Sequence, residues 1–331
     1  MKKDYIGIDL GSANTLIYSS FKDSIVYHEP TCIALDLVSK EVKEIGFLAS
    51  KLAGKTPYHY SVIYPVEHGI VEDDEAAFLY LDTVLKSLKL DRRKGHDTII
   101  FTAPSNTGKA NKRTLLQLGK KLGAKEVIIE SQAKIAALGC GDSVFAPTAT
   151  LLCQIGAGVS DVCCLSLGEI VYASSTFIAG LTFDEAIRRY MIQNQHLSIG
   201  LKSAEYLKMR VGSVASLPEN RLAEVKGKDT MTSLPSSIVV SSGEIKNALI
   251  PLANFISLKI SDVIASLPEE LIADLKSSGL ILSGGGALLS GMRDYLQNLL
   301  SIPVRLADKP LEVTLEGFRS YSKILEEKSP K

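Results

Sequence analysis

The chain has no excess charge of either sign: 37 Lys plus Arg stand against 37 Asp plus Glu over 331 residues. Such a balance offers no basic field to a polyanion, so nucleic acid is not expected as a partner. Long hydrophobic runs are missing too; none reaches the roughly 18 apolar residues of a membrane span. The start, M-K-K-D-Y-I-G-I-D, passes directly into an alternating apolar stretch, and no signal peptide is expected. Cysteine spacing of the metal-binding kind is also lacking. Cys32, Cys140, Cys153, Cys163 and Cys164 contain no C-x-x-C pair. Three of them sit among apolar residues, so buried reduced thiols are expected rather than a disulfide or metal centre. The length is more than one domain needs and fits two.

What is present is a set of small-residue turns between apolar strands. Ile6–Tyr18 reads I-G-I-D-L-G-S-A-N-T-L-I-Y. Ile6, Ile8 and Leu10 alternate as a strand requires, and Leu16, Ile17 and Tyr18 restart the pattern. Gly11, Ser12, Ala13 and Asn14 lie between. Small residues there let backbone N–H groups approach an anion. Asp9, just before the turn, is well placed for a hydrated divalent cation, since Mg2+ keeps its waters and takes few carboxylates. An ordinary hairpin with a glycine turn explains this one stretch equally well. Leu151–Leu165, L-L-C-Q-I-G-A-G-V-S-D-V-C-C-L, repeats the pattern, with Gly156, Ala157 and Gly158 at the turn. Two such hairpins, each opening half of the chain, point to a duplicated architecture with both turns on one cleft. Gly279–Leu289 supplies a third turn, Ser283-Gly284-Gly285-Gly286, with a helix expected from Ala287. A strand, a glycine turn and a helix N-terminus commonly seat a phosphate or the nucleoside beside it.

Together these stretches resemble the superfamily of actin, sugar kinases and heat-shock chaperone ATPases, and within it the bacterial actin MreB family. The match runs in order along almost the whole chain: I-D-L-G-S-A-N-T-L at 8–16, H-E-P-T at 28–31, T-P at 56–57, P-V-E-H-G-I-V at 65–71, F-I-A-G at 177–180, D-E-A-I at 184–187 and S-G-G-G-A-L-L at 283–289. The resemblance implies an α/β, actin-like, duplicated ribonuclease-H-like fold, with two lobes around a nucleotide cleft and a smaller subdomain in each. The first lobe would span 1–140, with its subdomain inserted at about 28–90. The second would span 141–331, with its subdomain at about 182–242, and a closing helix at 310–324 would return to the first lobe. ATP and Mg2+ are the implied cofactors. Gly11–Asn14 and Gly156–Gly158 would hold phosphates, and Asp9 would serve the metal. Gly284, Gly285, Gly286 and Ala287 would face the nucleoside together with Leu201, Lys202, Ser203, Ala204, Glu205 and Lys208.

The catalytic positions depart from the family pattern. Asn111 stands where the resemblance puts a water-positioning glutamate; an amide can orient a water but cannot take its proton. Gln154 replaces an aspartate that would contact metal-bound water. Val159 removes a hydroxyl, which Ser160 is expected to replace, with Asp161 a further acid on the same hairpin. Segment Glu130-Ser131-Gln132-Ala133 keeps a glutamate but lacks the family's proline. Leu201 replaces an acid. Weak or absent hydrolysis is therefore expected, with binding less affected.

Local patterns add further expectations. Asp73–Leu88 reads as a helix capped by Asp73 or Asp74. Leu88 and Leu90, beside and within the basic turn Lys89–Lys94, read as a solvated helix end; the family resemblance implies, as the alternative, a hydrophobic loop near this point that touches the membrane. Thr31–Ala34 reads as an edge strand entered by Pro30. A helix is expected from near Thr182, with Asp184 and Glu185 in its first turn. From Ser242 to Val263 a long amphipathic helix would share one face among Ile245, Leu249, Leu252, Phe255, Ile256 and Ile260. The tail Glu326–Lys331 reads as charged and loose. The family relation implies protofilaments built by self-association, with paralogous actin-like subunits as further partners. They would lie in the cytoplasm at the inner membrane surface and serve cell shape or internal motility. A competent ATPase of the same superfamily and a nucleotide-independent scaffold are the alternative readings.

Overall fold

The computed structural model of the chain describes residues 4–90, 98–141 and 144–328. Two compact units result, Met1–Ser143 with Glu312–Lys331, and Val144–Leu311. In the first unit the alternating stretch folds as a hairpin: β1 (Tyr5–Leu10) pairs antiparallel with β2 (Asn14–Ser19), and β3 (Ser24–Pro30) joins outside β2. Next, β4 (Ile33–Asp36), β5 (Val42–Ile45), α1 (Gly46–Leu52) and β6 (Tyr60–Ile63) build a separate small sheet in the order β5-β4-β6. Pro30 does mark an edge, but it is the edge of β3; the strand after it lies between two partners. Lacking an N–H, the proline ends one ladder and the chain then starts a fresh sheet, so the edge-strand expectation for Thr31–Ala34 fails.

A tight hairpin of β7 (Val66–Glu67) and β8 (Ile70–Val71) turns at His68-Gly69, both with positive φ, and leads into α2 (Asp74–Ser87). The cap of α2 is Asp73, whose carboxylate accepts the Ala76 N–H at 2.9 Å. Then β9 (Thr98–Ala103), α3 (Lys109–Lys121), β10 (Glu126–Ser131) and α4 (Gln132–Gly139) complete the main sheet, β10-β9-β1-β2-β3. Strands β9 and β10 run parallel to β1, and α3 is the crossover that such strands need. Ile8, Ile17, Tyr80, Leu81 and Phe101 form the core of this unit. Leu88 packs against that core and Leu90 is buried. Neither is an exposed apolar residue, and residues 91–94 of the basic turn lie outside the described residues.

The second unit repeats the plan. Its meander is β11 (Thr150–Ile155), β12 (Ser160–Ser166) and β13 (Glu169–Thr176). It is followed by α5 (Gly180–Gln195), β14 (Leu197–Ser198), α6 (Leu201–Val211), β15 (Leu222–Asp229) and β16 (Pro235–Ser241), with the three short strands forming their own sheet. Helices α7 (Ser242–Ala265) and α8 (Glu269–Ser278) precede β17 (Leu280–Ser283), α9 (Met292–Leu300) and β18 (Val304–Leu306). The main sheet is β13-β12-β11-β17-β18, an antiparallel meander on one side and two parallel strands on the other. Strand by strand, β11 therefore matches β1, β17 matches β9 and β18 matches β10.

Three expectations need correction here. Helix α5 starts at Gly180, with Thr182 Oγ1 accepting the Ala179 N–H at 2.8 Å, so Asp184 and Glu185 fall in its second turn. After the third glycine turn only a short 3-10 stretch forms at Gly285–Leu288, and α9 waits until Met292. Two consecutive glycines disfavour an α-helical start, and Gly291 takes a positive φ just before the helix. Ile245, Leu249, Ile256 and Ile260 of α7 are fully buried, whereas Phe255 is 56% exposed. By length and composition α7 is apolar enough to cross a membrane, yet its buried stripe is part of the core of the unit.

The last helix, α10 (Val313–Lys328), belongs to the first unit, where it packs on α4. Two glycines make the approach possible. A Cβ on Gly139 would overlap the Val313 carbonyl, and one on Gly317 would overlap that of Ile135. Of the expected loose tail, residues 326–328 are helical and 329–331 lie outside the described residues.

Candidate functional site: two glycine turns at equivalent strand ends

In the first unit the turn between β1 and β2 closes through Gly11 N–H to the Asn14 carbonyl at 3.1 Å. A Cβ on Gly11 would lie 2.8 Å from that same oxygen, so the turn excludes a side chain there. Two further contacts brace it. Thr31 N–H donates to the Ala13 carbonyl at 2.9 Å, and Ser12 Oγ accepts the Gly69 N–H at 3.0 Å. The Gly69 hairpin is tied in turn to Asn111. The Asn111 amide donates to the Gly69 carbonyl at 3.2 Å and accepts from the Val71 N–H at 3.2 Å. Both ends of the amide that occupies the expected water-positioning site thus clamp α3 to the β7–β8 hairpin.

Asp9, next to last in β1, is 5% exposed. Thr102 Oγ1 donates to its Oδ1 at 2.7 Å, and Gln132 Nε2 lies 3.3 Å from each carboxylate oxygen. Burial raises the pKa of Asp9, and the Thr102 and Gln132 donors work against the rise. Gln132 is the functional neighbour that sequence reasoning missed. Its placement depends on the β10-β9-β1 order, which no local pattern reveals. Among the described residues no group of three or more His, Cys, Asp or Glu could cage a metal. A single buried carboxylate with neutral donors around it fits a cation that draws most of its ligands from phosphate and water, as Mg2+ does.

In the second unit Gly156 N–H closes the turn on the Val159 carbonyl at 2.9 Å, and a Cβ on Gly156 would lie 2.9 Å from that oxygen. This is the Gly11 geometry again. The register also places Gln154 opposite Ser283, where the first unit has Asp9 beside Thr102. Ser283 Oγ is fully buried and has no hydrogen-bond partner among the described residues, whereas Thr102 donates to a carboxylate. Ser160 is buried, and its Oγ donates to the Ile178 carbonyl at 2.7 Å. Asp161, opposite Gln154 in the ladder, is 1% exposed and accepts from Ser175 Oγ at 2.7 Å.

The second turn rests on the start of α5. Gly180 N–H donates to the Gly156 carbonyl at 3.0 Å and Leu181 N–H to that of Ala157 at 2.8 Å. Lys208 of α6 reaches this junction: its Nζ donates to the Gly180 carbonyl at 3.0 Å and to Asp184 Oδ2 at 2.9 Å. Burial pushes the Asp184 carboxyl up to about 6, with Lys208 acting in the opposite direction. Of the other nucleoside candidates, Leu201, Lys202 and Glu205 are exposed and Ser203 is half-buried, while Ala204 and Ala287 are buried in the core. Gly284, at a φ of 79°, and Gly286 are pressed against Ile155 of β11, where any Cβ would overlap. Gly285 alone of the three has room for a Cβ, which would make ordinary contact with Leu311 at 3.5 Å.

The family model of the MreB/Mbl protein matches residues 3–329. The cell shape-determining protein Mbl of Bacillus subtilis is 33% identical over 94% of this chain and 93% of its own length. The cell shape-determining protein MreB of Escherichia coli is 32% identical, over 94% and 91%. Among solved structures, MreB5 of Spiroplasma citri bound to AMPPNP is 30% identical with a TM-score of 0.94, covering 99% of this chain and 98% of that one. A MamK double helical filament, 20% identical, gives a TM-score of 0.80 over 99% and 100%, a likeness of fold alone. With both units following one plan and sequence relatives matched nearly end to end, this chain belongs to the MreB/Mbl family of cell shape-determining, actin-like cytoskeletal proteins.

Proposed function

We propose that this chain binds ATP with Mg2+, self-assembles into protofilaments in the cytoplasm, and hydrolyses ATP weakly or not at all. The carrying observation is the repeated turn. Gly11 and Gly156 close on the carbonyl three residues ahead at 3.1 and 2.9 Å, each at the end of an equivalent strand and each too tight for a Cβ. Turns of this kind offer main-chain amides to phosphate oxygens whatever side chains surround them. Gly11–Asn14 and Gly156–Gly158 would meet phosphates, and Glu205 and Gly285 the nucleoside. Asp9 would hold metal-bound water. When bound, Mg2+ would neutralise part of the triphosphate charge. Two relatives support the reading: MreB5 is known bound to AMPPNP and to ADP, and MamK as a double helical filament.

Weak hydrolysis follows from the amides. Asn111 is engaged at both ends by the β7–β8 hairpin, and Gln154 brings no charge to the second turn. Loss of one preorganised electrostatic group typically lowers a rate by about 10²–10³. We also read the β5-β4-β6 sheet with α1, and the β14-β15-β16 sheet, as the small subdomains of the two lobes. Service at the inner membrane surface, in cell shape or internal motility and alongside paralogous subunits, belongs to this proposal through the family relation. The test is calorimetric titration of AMPPNP with Mg2+, run beside sedimentation with and without nucleotide. Saturable binding and nucleotide-dependent pelleting are expected. Pelleting that ignores nucleotide, with no heat at millimolar ligand, would show a scaffold instead.

A further inference from the structure

We infer that the outer edge of β16 is a self-association surface, on which a second copy of this chain lays its own β16 antiparallel. The pairing is independent of nucleotide binding. An edge strand presents unpaired N–H and C=O groups, and natural sheets blunt such edges with charges, bulges or brevity. Here β3 carries Glu29, β5 carries Lys43, β10 carries Glu126, β13 carries Glu169 and β18 carries Arg305. The ladders of β3 and β13 are also interrupted by register shifts. Strands β6, β7, β8 and β14 have at most four residues. Among the described edge strands only β16 lacks all three devices. Its seven residues, P-S-S-I-V-V-S, hold no charge, and its ladder with β15 runs unbroken from Leu222 opposite Ser241 to Lys228 opposite Pro235. It closes the β14-β15-β16 sheet on one side, and among the described residues no turn or loop bonds to the backbone of 235–240.

The charges beside the edge select a second copy as the occupant. A two-fold contact must be complementary to its own image. With Ile238 facing Ile238 of the second copy, Ser237 faces Val239 and Ser236 faces Val240. On the inner side Val240 is buried and Ile238 packs against the core, so the two Ile238 side chains meet and continue the apolar layer. On the outer side Val239, 60% exposed, is partly covered. In the ladder Glu224 stands beside Val239 and Lys226 beside Ser237, all on the exposed face. Across the seam each row therefore reads Lys226, Ser237, then Val239 and Glu224 of the second copy, with opposite charges at its two ends. A slip of two residues either way would align Glu224 with Glu224 or Lys226 with Lys226. A slip of one would set the core face of one copy beside the solvent face of the other. A two-fold pair closes at two copies, so this seam is not a head-to-tail contact of a protofilament; it would tie one protofilament to another running the opposite way.

Disulfide trapping on the full-length chain, without nucleotide, tests the pairing. A seam of one strand pair falls below the roughly 1,200 Å² of standard interfaces, so the association is weak and is caught covalently. The background is Cys140→Ser, since Cys32, Cys153, Cys163 and Cys164 are buried. Ser237→Cys and Val239→Cys, both at exposed positions, are oxidised with diamide singly and as an equimolar mixture. In this register 237 faces 239 at about 5 Å between Cα atoms, while equal positions stand about 8 Å apart, beyond the reach of a disulfide. The mixture is expected to form dimer at least about fivefold faster than either variant alone. Lys226→Cys, on β15 and away from the seam, is the control for random collision. Either single variant outrunning the mixture would mean another register and overturn the inference. Rates no higher than the control would overturn it outright and leave the edge to an extended peptide of another protein. A mixture that dimerises as expected from a chain that binds no nucleotide would sink the proposed function and leave the β16 seam standing.

Discussion

At the residue scale, Asp9 and Gln154 are one strand position read twice, and they differ by a charge. Thr102 donates to the carboxylate, while Ser283 Oγ has no hydrogen-bond partner among the described residues. An unpaired buried hydroxyl costs about 1–3 kcal/mol. Gln154→Asp would turn a neutral acceptor near Ser283 into a charged one and give the second turn an acid. Combined with Asn111→Glu, it is expected to raise phosphate release by two orders of magnitude or more over wild type. Wild type releasing phosphate as fast as the double variant would sink the reading of both positions. A second test lies in Asp184, whose carboxyl is raised by burial to about 6 from 3.8. The folded state holds this proton more tightly than the unfolded state. Its contribution is therefore fully present below about pH 4 and is lost as pH climbs through 6. At about 1.4 kcal/mol per pKa unit the whole effect is about 3 kcal/mol, roughly half of it between pH 5 and 7.5. Asp184→Asn, having nothing to titrate, should gain stability relative to wild type across that range. Urea unfolding at the two pH values checks it, and a gap that narrows or stays constant contradicts the assignment. The thiols offer no such handle: burial pushes Cys164 up to about 11 and raises Cys153 still further, so alkylation of either should be slow in the folded protein.

At the scale of elements, hairpins and amphipathic helices were legible because alternation and helical spacing are local. The alternation at Ile6–Leu10 became β1, and Asp73 capped α2 as its spacing demanded. What local pattern could not supply was partnership. Pro30 signalled an edge correctly, but whose edge depended on β3 closing one sheet and β4 opening another. Phe255 fits the apolar composition of α7 but lies off its buried stripe of Leu249, Ile256 and Ile260. Of the third turn, the glycines were visible and their reason was not. Gly284 and Gly286 have no room for a Cβ because Ile155 crowds them, a packing reason that no local pattern shows. The same lesson applies where α4 crosses α10. Gly139 and Gly317 each meet backbone of the other helix, which has no side chain to swing away. Overpacking of this kind costs about 1–3 kcal/mol where neighbours can adjust, and more where they cannot. Gly317→Ala should therefore cost about 3 kcal/mol or more, whereas Phe255→Ser, on the exposed face of α7, should stay within about 0.5 kcal/mol. Chemical denaturation of both variants distinguishes them, and a tolerated Gly317→Ala would mean that the helices cross less closely.

At the scale of the molecule, the duplication has been kept in topology and broken in chemistry. Both main sheets run as a meander followed by two parallel strands, and both first turns close alike. A backbone cradle survives side-chain drift because its donors belong to the main chain. Acid–base chemistry lacks that protection, because it depends on particular carboxylates. Binding and hydrolysis should therefore have come apart in this chain, and assembly should follow binding. The expected outcome is that ATP and AMPPNP, each with Mg2+, support equal sedimentation, and that polymer made with ATP stays in the pellet for hours without replenishment. The double variant Asn111→Glu/Gln154→Asp should begin at the same level with ATP and then lose polymer as phosphate appears, while its AMPPNP polymer persists. Following pelleted mass and free phosphate in the same samples decides the matter. Wild-type ATP polymer that decays in step with phosphate release, while AMPPNP polymer does not, would show that hydrolysis still drives disassembly and that Asn111 and Gln154 have cost this protein little.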